Sequence, residues 1–184
     1  MRITILGAGN IGLAAGTKWK AKGHDITFGV RDPQSQKAWN AINIGAKVTT
    51  FQESMTDAEV VLVAIPFGVA DEVLKSIDVE WDGKIIIDAT NPISVSTEPF
   101  ESAAEAISAW TGSADVVKAF NTTGVGNMTN PEYNGKAIET FICGDEVASK
   151  QTVSTLAQDL GFRVVDVGGI ENAQPEFFVE KAKA

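Results

Sequence analysis

Arg2-Ile3-Thr4-Ile5-Leu6, followed at once by Gly7-Ala8-Gly9-Asn10-Ile11-Gly12, decides the fold of this chain. The first run is short, apolar and rich in β-branched residues, as a strand buried on both faces must be. The second matches G-x-G-x-x-G, and an apolar stripe of Ile11, Ala15 and Trp19 at helical spacing begins inside it. Strand, glycine turn and helix in that order open a dinucleotide-binding βαβ unit. Gly7 makes the tight turn, Gly9 lets a pyrophosphate approach the backbone, and Gly12 brings helix and strand close. Free N–H groups at the helix start then face the diphosphate.

The same alternation continues along the chain. Strands are expected at Arg2–Leu6, Asp25–Val30, Lys47–Phe51, Val60–Ile65, Lys84–Asp88, Asp115–Phe120, Ile138–Cys143 and Arg163–Val167. Helical stripes fall between them: Phe100, Ala103, Ala104, Ile107 and Trp110 before Gly112, and Val153, Leu156, Ala157 and Leu160 before Gly161. The expected fold is α/β: one Rossmann-type NAD(P)-binding domain over 1–169, its mostly parallel, doubly wound sheet built of about eight strands, and a short tail over 170–184.

Composition narrows the function classes. The 184 residues are 44% hydrophobic and 21% charged, enough for one real core, and 15 Lys and Arg against 24 Asp and Glu leave a net charge of −9. A broad basic face for nucleic acid or anionic membrane is therefore not expected. The longest apolar stretch, Val60 to Phe67, is far short of the ~20 residues that span a bilayer, and Met1 leads straight into the first strand. With one cysteine, Cys143, in an apolar run, a reducing cytoplasm is the expected compartment and a buried thiol the expected state.

The choice between NAD and NADP turns on the end of the second strand. An NAD site wants a carboxylate there for the ribose 2′-OH, whereas this strand ends at Val30 with Arg31 next, a residue suited to a 2′-phosphate. Asp32, two residues on, would take the ribose role if the strand ran further. Ligands of such a sheet lie beyond the carboxyl ends of its strands. The loops there are Ile65-Pro66-Phe67-Gly68, Asp88-Ala89-Thr90-Asn91-Pro92 and Phe120-Asn121-Thr122-Thr123-Gly124. Their amides, hydroxyls and prolines suit a planar, neutral ring and a second flat ring beside it, with Phe67, Asn121, Thr122 and Thr123 on the substrate side. Acid–base candidates are scarce. His24 precedes the second strand, away from the cleft, and Tyr133 has Ala137 instead of a lysine four residues on. No His/Cys cluster suits a metal; Lys118 could titrate in the cleft, but its place inside an apolar strand reads as an amphipathic stem. A reduction without an evident proton donor suggests hydride transfer between two rings.

The glycine loop, Gly23-His24, Gly29 with Arg31, Ala64-Ile65-Pro66, Asn91-Pro92, Lys118-Ala119-Phe120-Asn121-Thr122 and Cys143-Gly144-Asp145 together resemble the NADP oxidoreductase, coenzyme F-420-dependent family, the NADPH:deazaflavin reductases and their relatives. The resemblance implies NADP at the glycine loop and a deazaflavin or flavin-like ring facing the nicotinamide. It carries Gly7, Gly9, Asn10, Ile11 and Arg31 over as NADP contacts, with Ile65, Pro66, Asn91 and Pro92 near the nicotinamide. Val30 departs from the hydroxyl usual before the arginine. The tail stands where a pocket-closing helix usually follows, an open cleft that a second subunit could complete. Hydroxy-acid dehydrogenases and pyrroline carboxylate reductases share the opening pattern but add a helical domain beyond this length. A non-catalytic NADP(H)-sensing module is the expectation from another class.

Overall fold

A computed structural model describes residues 1–121 and 124–174 of the chain. The elements run β1 (Arg2–Leu6), α1 (Asn10–Ala21), β2 (Asp25–Val30), α2 (Gln36–Asn43), β3 (Lys47–Thr50), α3 (Phe51–Ser54), β4 (Val60–Val63), α4 (Phe67–Ser76), β5 (Ile85–Asp88), α5 (Ala103–Thr111), β6 (Val116–Lys118), α6 (Val125–Thr129), β7 (Glu132–Tyr133), β8 (Lys136–Ala137), β9 (Glu139–Ile142), α7 (Val147–Leu160), β10 (Arg163–Asp166) and a 3-10 turn (Ile170–Ala173).

Among the described residues, six strands form one parallel sheet in the order β3-β2-β1-β4-β5-β6. Ile3 stands opposite both Ile26 and Val60, and Asp88 opposite both Val63 and Lys118. The strand order reverses between β1 and β4, the point at which such sheets bind ligands. All eight expected strands form, β1 and β2 with the expected ends and the other six trimmed by a residue or two. The last two, β9 and β10, pair in parallel as a separate small sheet, tied to the large one by an antiparallel bridge between Lys118 and Cys143. Strand β6 is too short to carry them further, since Phe120 takes a left-handed φ of 65° and turns the chain across the carboxyl edge. Phe51, expected to end β3, instead starts α3. Thr50 caps that helix and Glu53 reaches back to the cap, a Thr-x-x-Glu capping box written in the sequence.

Strand side chains alternate between two buried layers. Ile3, Ile5, Leu62 and Val117 meet Trp19 of α1 and Leu156 of α7 on one face. Leu6, Val61, Ile86 and Val116 meet Leu74 of α4 and Ile107 of α5 on the other. Gly112 and Gly161 end α5 and α7 in left-handed backbone, as their stripes require. Trp19 is fully buried and donates from Nε1 to Leu156 O at 2.8 Å, and Lys18 Nζ donates to Leu160 O at 2.8 Å. His24 sits at the amino edge of β2, its Nε2 3.1 Å from Asp159 Oδ2. Ala173 of the 3-10 turn is buried in the second layer. No helix among the described residues is long and apolar enough to cross a membrane.

The three motif glycines have separate structural reasons. Gly7 adopts φ 103°, and a Cβ there would come within 2.8 Å of Ala64 O. A Cβ on Gly12 would overlap the Gly7 carbonyl oxygen, whereas one on Gly9 would meet nothing within 4 Å. Gly12→Ala is therefore expected to lower stability by about 1–3 kcal/mol, the range for forced overpacking, while Gly9→Ala leaves it unchanged. Urea denaturation of both variants checks this contrast, and equal losses would contradict it.

Cys143 is buried in the second layer, and desolvation pushes its thiol from 9.0 up to about 12, although the Lys118 charge pulls the other way. Between those values the unfolded chain releases the proton and the folded chain retains it, so this thiol's contribution to stability falls as pH rises. The advantage of the native protein over Cys143→Ala should shrink from pH 9 upward, measured by guanidinium denaturation at several pH values. A constant difference would refute the shift.

Candidate dinucleotide site

The site begins at the strand order reversal. Gly7 N–H donates to Gly29 O at 2.9 Å, which ties the turn after β1 to the end of β2, and α1 then starts at Asn10 with Gly9 as its N-cap. No side chain caps α1, so its first N–H groups, including those of Asn10 and Ile11, have no capping side chain to satisfy them. They and the positive end of the helix dipole are available to an anion. The open space over Gly9 is the cradle a pyrophosphate needs.

A cavity of about 250 Å³ opens beside this loop, lined among others by Gly7, Gly9, Arg31, Ser35, Ile65 and Pro66. Five residues singled out from the sequence thus share one wall. Phe51, Ala64 and Lys37 complete much of the rest. Strand β2 ends at Val30, and the Asp32 carboxylate accepts the Gln34 N–H at 2.8 Å, a local turn that occupies it. Arg31 and Lys37 are exposed cations at the cavity, and between them Ser35 caps α2 by accepting the Ala38 N–H. Two cations beside a helix start fit a 2′-phosphate, and a lone ribose hydroxyl has no such need. Lys37 and Ser35 escaped the sequence reading. Their signal was a serine N-cap followed by a cation five to seven residues past the strand end.

Other candidates are placed differently. Gly12 is buried under the turn and acts through packing. The Asn10 side chain is not part of the 250 Å³ cavity and lines a separate groove, with Leu13, Thr17, Val125 and Thr129, between α1 and α6. Asn91 is exposed and Pro92 half-buried on the loop after β5, outside the 250 Å³ cavity. Asn121 is half-buried after β6, and its Oδ1 has no hydrogen-bond partner. Phe67, expected on the substrate side, is buried instead, stacked on Trp110 with ring centroids 5.5 Å apart, because it is the first core-facing residue of α4. Thr122 and Thr123 lie outside the described residues, as does the tail from residue 175 onward.

Lys118 also corrects its sequence reading. It is 1% exposed, and its amine does not reach water. Nζ donates to Asp88 Oδ2 at 2.8 Å and to the carbonyl oxygen of Thr90, so a charge pair is sealed under the cleft edge. Each partner ends an apolar strand, but their register in the sheet is not visible along the chain.

The comparisons with known proteins agree with this geometry. Residues 2–92 match the family described as NADP oxidoreductase, coenzyme F420-dependent. The F420-dependent NADP reductase of Methanothermobacter marburgensis is 28% identical, over 95% of this chain and 87% of its own length. The metalloreductase STEAP3 of Rattus norvegicus is 29% identical over 94% of the chain, which spans only 35% of that relative. A solved structure from Arthrobacter sp. FB24, described as a candidate F420-dependent NADP reductase, superposes with a TM-score of 0.82 at 26% identity, covering 98% of this chain and 90% of that one. Through residues 2–92, the stretch that carries its glycine loop and Arg31, the chain belongs to the NADP oxidoreductase, coenzyme F420-dependent family.

Proposed function

We propose that the protein is an NADPH-dependent oxidoreductase that passes hydride to a planar acceptor, a deazaflavin such as coenzyme F420 or a flavin-like ring. The observation that carries this reading is the single cavity in which Gly7, Gly9, Arg31, Lys37, Ile65 and Pro66 converge. The α1 start and Gly9 would hold the pyrophosphate, and Arg31 with Lys37 the 2′-phosphate. Ile65, Pro66, Asn91 and Pro92 would border the nicotinamide, Thr122 and Thr123 the acceptor, and Asn121, at the start of the same loop, would stand where the two rings meet. Bound NADPH supplies the hydride. The protein's contribution is then alignment and exclusion of water, for which apolar walls and fixed amides suffice.

The acceptor class follows from the scarcity of acids and bases. A ring acceptor takes hydride on a ring atom and obtains any further proton from solvent, whereas a carbonyl needs a donor in the transition state. The cavity lining offers Arg31, Asp32 and Lys37, all gathered at the adenosine end. The likeness to a metalloreductase adds metal chelates, with ferric chelates as the probe, to the acceptors to examine.

Two measurements test the reading. Stopped-flow absorbance of NADPH with deazaflavin, flavin, quinone, ferric chelate and carbonyl acceptors should show oxidation by the ring acceptors and little by simple carbonyls. Oxidation by carbonyls alone would overturn the ring-to-ring assignment, and tight binding with no oxidation by any acceptor would overturn the enzyme reading. Arg31→Ala should weaken NADPH binding roughly tenfold to a hundredfold by titration calorimetry, the range for a charged hydrogen bond, with NADH little affected. Equal losses for both cofactors would remove the 2′-phosphate role.

A further inference from the structure

Asp88 and Lys118 are the last residues of neighbouring strands and stand opposite one another in register. Both are essentially inaccessible, at 0% and 1% exposure. Their bonds converge on one residue of the loop after β5. Asp88 Oδ1 accepts the Thr90 N–H at 2.8 Å, and Lys118 Nζ donates to both Asp88 Oδ2 and the Thr90 carbonyl oxygen. Thr90 is thereby gripped at both ends of its backbone unit. The Thr90 side chain is the exception, since its hydroxyl belongs to a residue 2% exposed and has no hydrogen-bond partner. The neighbouring loop carries a second such atom, Asn121 Oδ1, three residues beyond Lys118. That loop too is anchored to the pair, through the Ala119 N–H to Asp88 O bond at 3.0 Å. Thr140 Oγ1 is also unpartnered, but it lies within β9 and on no cleft loop.

Stability alone gives little reason for this arrangement. A buried ion pair is costly to desolvate, and apolar residues of similar volume often serve as well. A buried hydroxyl left unpaired is worse than the valine that would replace it. Both features gain a reason if the pair holds Thr90 for a ligand. We infer that Lys118 and Asp88 are positioning residues, and that the Thr90 hydroxyl and Asn121 Oδ1 are the hydrogen-bond acceptors for the carboxamide NH2 of the nicotinamide ring. The inference rests on the NADPH reading above. A carboxamide nitrogen carries two N–H donors, and the two orphan oxygens sit on adjacent loops at the carboxyl edge of β5 and β6. The recognition selects a primary amide at this position of the ring.

Thr90→Val tests it without breaking the ion pair. The variant should fold with a melting temperature no lower than the native protein and bind adenosine 2′,5′-bisphosphate, which lacks the nicotinamide, with unchanged affinity. NADPH should bind about three- to tenfold more weakly, the range for one neutral hydrogen bond. The reduced 3-acetylpyridine analogue of NADPH, whose methyl ketone has no N–H, should bind the native protein more weakly than NADPH, and Thr90→Val should add no further loss. A Thr90→Val protein with native NADPH affinity, or with the same loss for the analogue, overturns the assignment. Failure of the native protein to bind the bisphosphate would instead bring down the dinucleotide reading, and this inference with it. In the double variant Asp88→Leu/Lys118→Met, bisphosphate binding should persist while NADPH affinity and kcat fall. Native values for both would make the pair structural only.

Discussion

The helix α1 can lie against β1 only because no side chain stands between Gly12 and the Gly7 carbonyl, and the position of the cleft follows from that approach. A methyl group on Gly12 would force helix and turn apart, and one on Gly7 would push the turn off Ala64 and Ile65 after β4. Because they do not, the unsatisfied start of α1 is held over the carboxyl end of β1, beside the point where the strand order turns from β1 to β4. The far end of the helix is fixed by Trp19 and Lys18 on α7, so it cannot pivot away. Gly9 lies between these two anchored regions with open space above it. Packing constraints on two glycines thus create the freedom of the third.

Electrostatics act locally in a chain whose overall charge opposes the ligand. A net charge of −9 argues against polyanion binding over a broad surface, yet the cleft concentrates Arg31, Lys37 and the starts of α1 and α2 around one cavity. At physiological salt, charges more than about 8 Å apart are largely screened, so the near groups decide and the distant carboxylates matter little. Asp32, the one acid in the lining, has one carboxylate oxygen committed to the Gln34 N–H. Net charge therefore bears on what the surface attracts, and the few groups around a cavity on what enters it.

Local features were readable along the chain and registers between distant segments were not. The boundaries of β1 and β2, the stripe ending at Gly161 and the glycine loop are each set within a dozen residues by periodicity and steric need, and they form as written. The position of Arg31 at the cavity was legible because it depends on a single strand end. Phe67 was misread because a loop residue and the first core residue of a helix look alike when the next element's facing is unknown. Lys118 was misread for a related reason: its partner Asp88 is 30 residues away, and only the pairing of β5 with β6 brings them together. The small sheet of β9 and β10 escaped notice because an apolar run does not reveal which sheet it joins.

The hydrogen bond from Trp19 to Leu156 spans 137 residues, and it separates two boundaries that are easily taken as one. The match to the family stops at residue 92, but the cooperative unit does not. A fragment cut there would lose the α7 roof over Trp19, the Asp159 partner of His24, and β6, which covers the edge of β5. Its glycine loop would be intact in sequence and unsupported in space. Such a half cannot serve as a transplantable nucleotide-binding module, and the C-terminal half is as much a part of the binding fold as the motif that announces it.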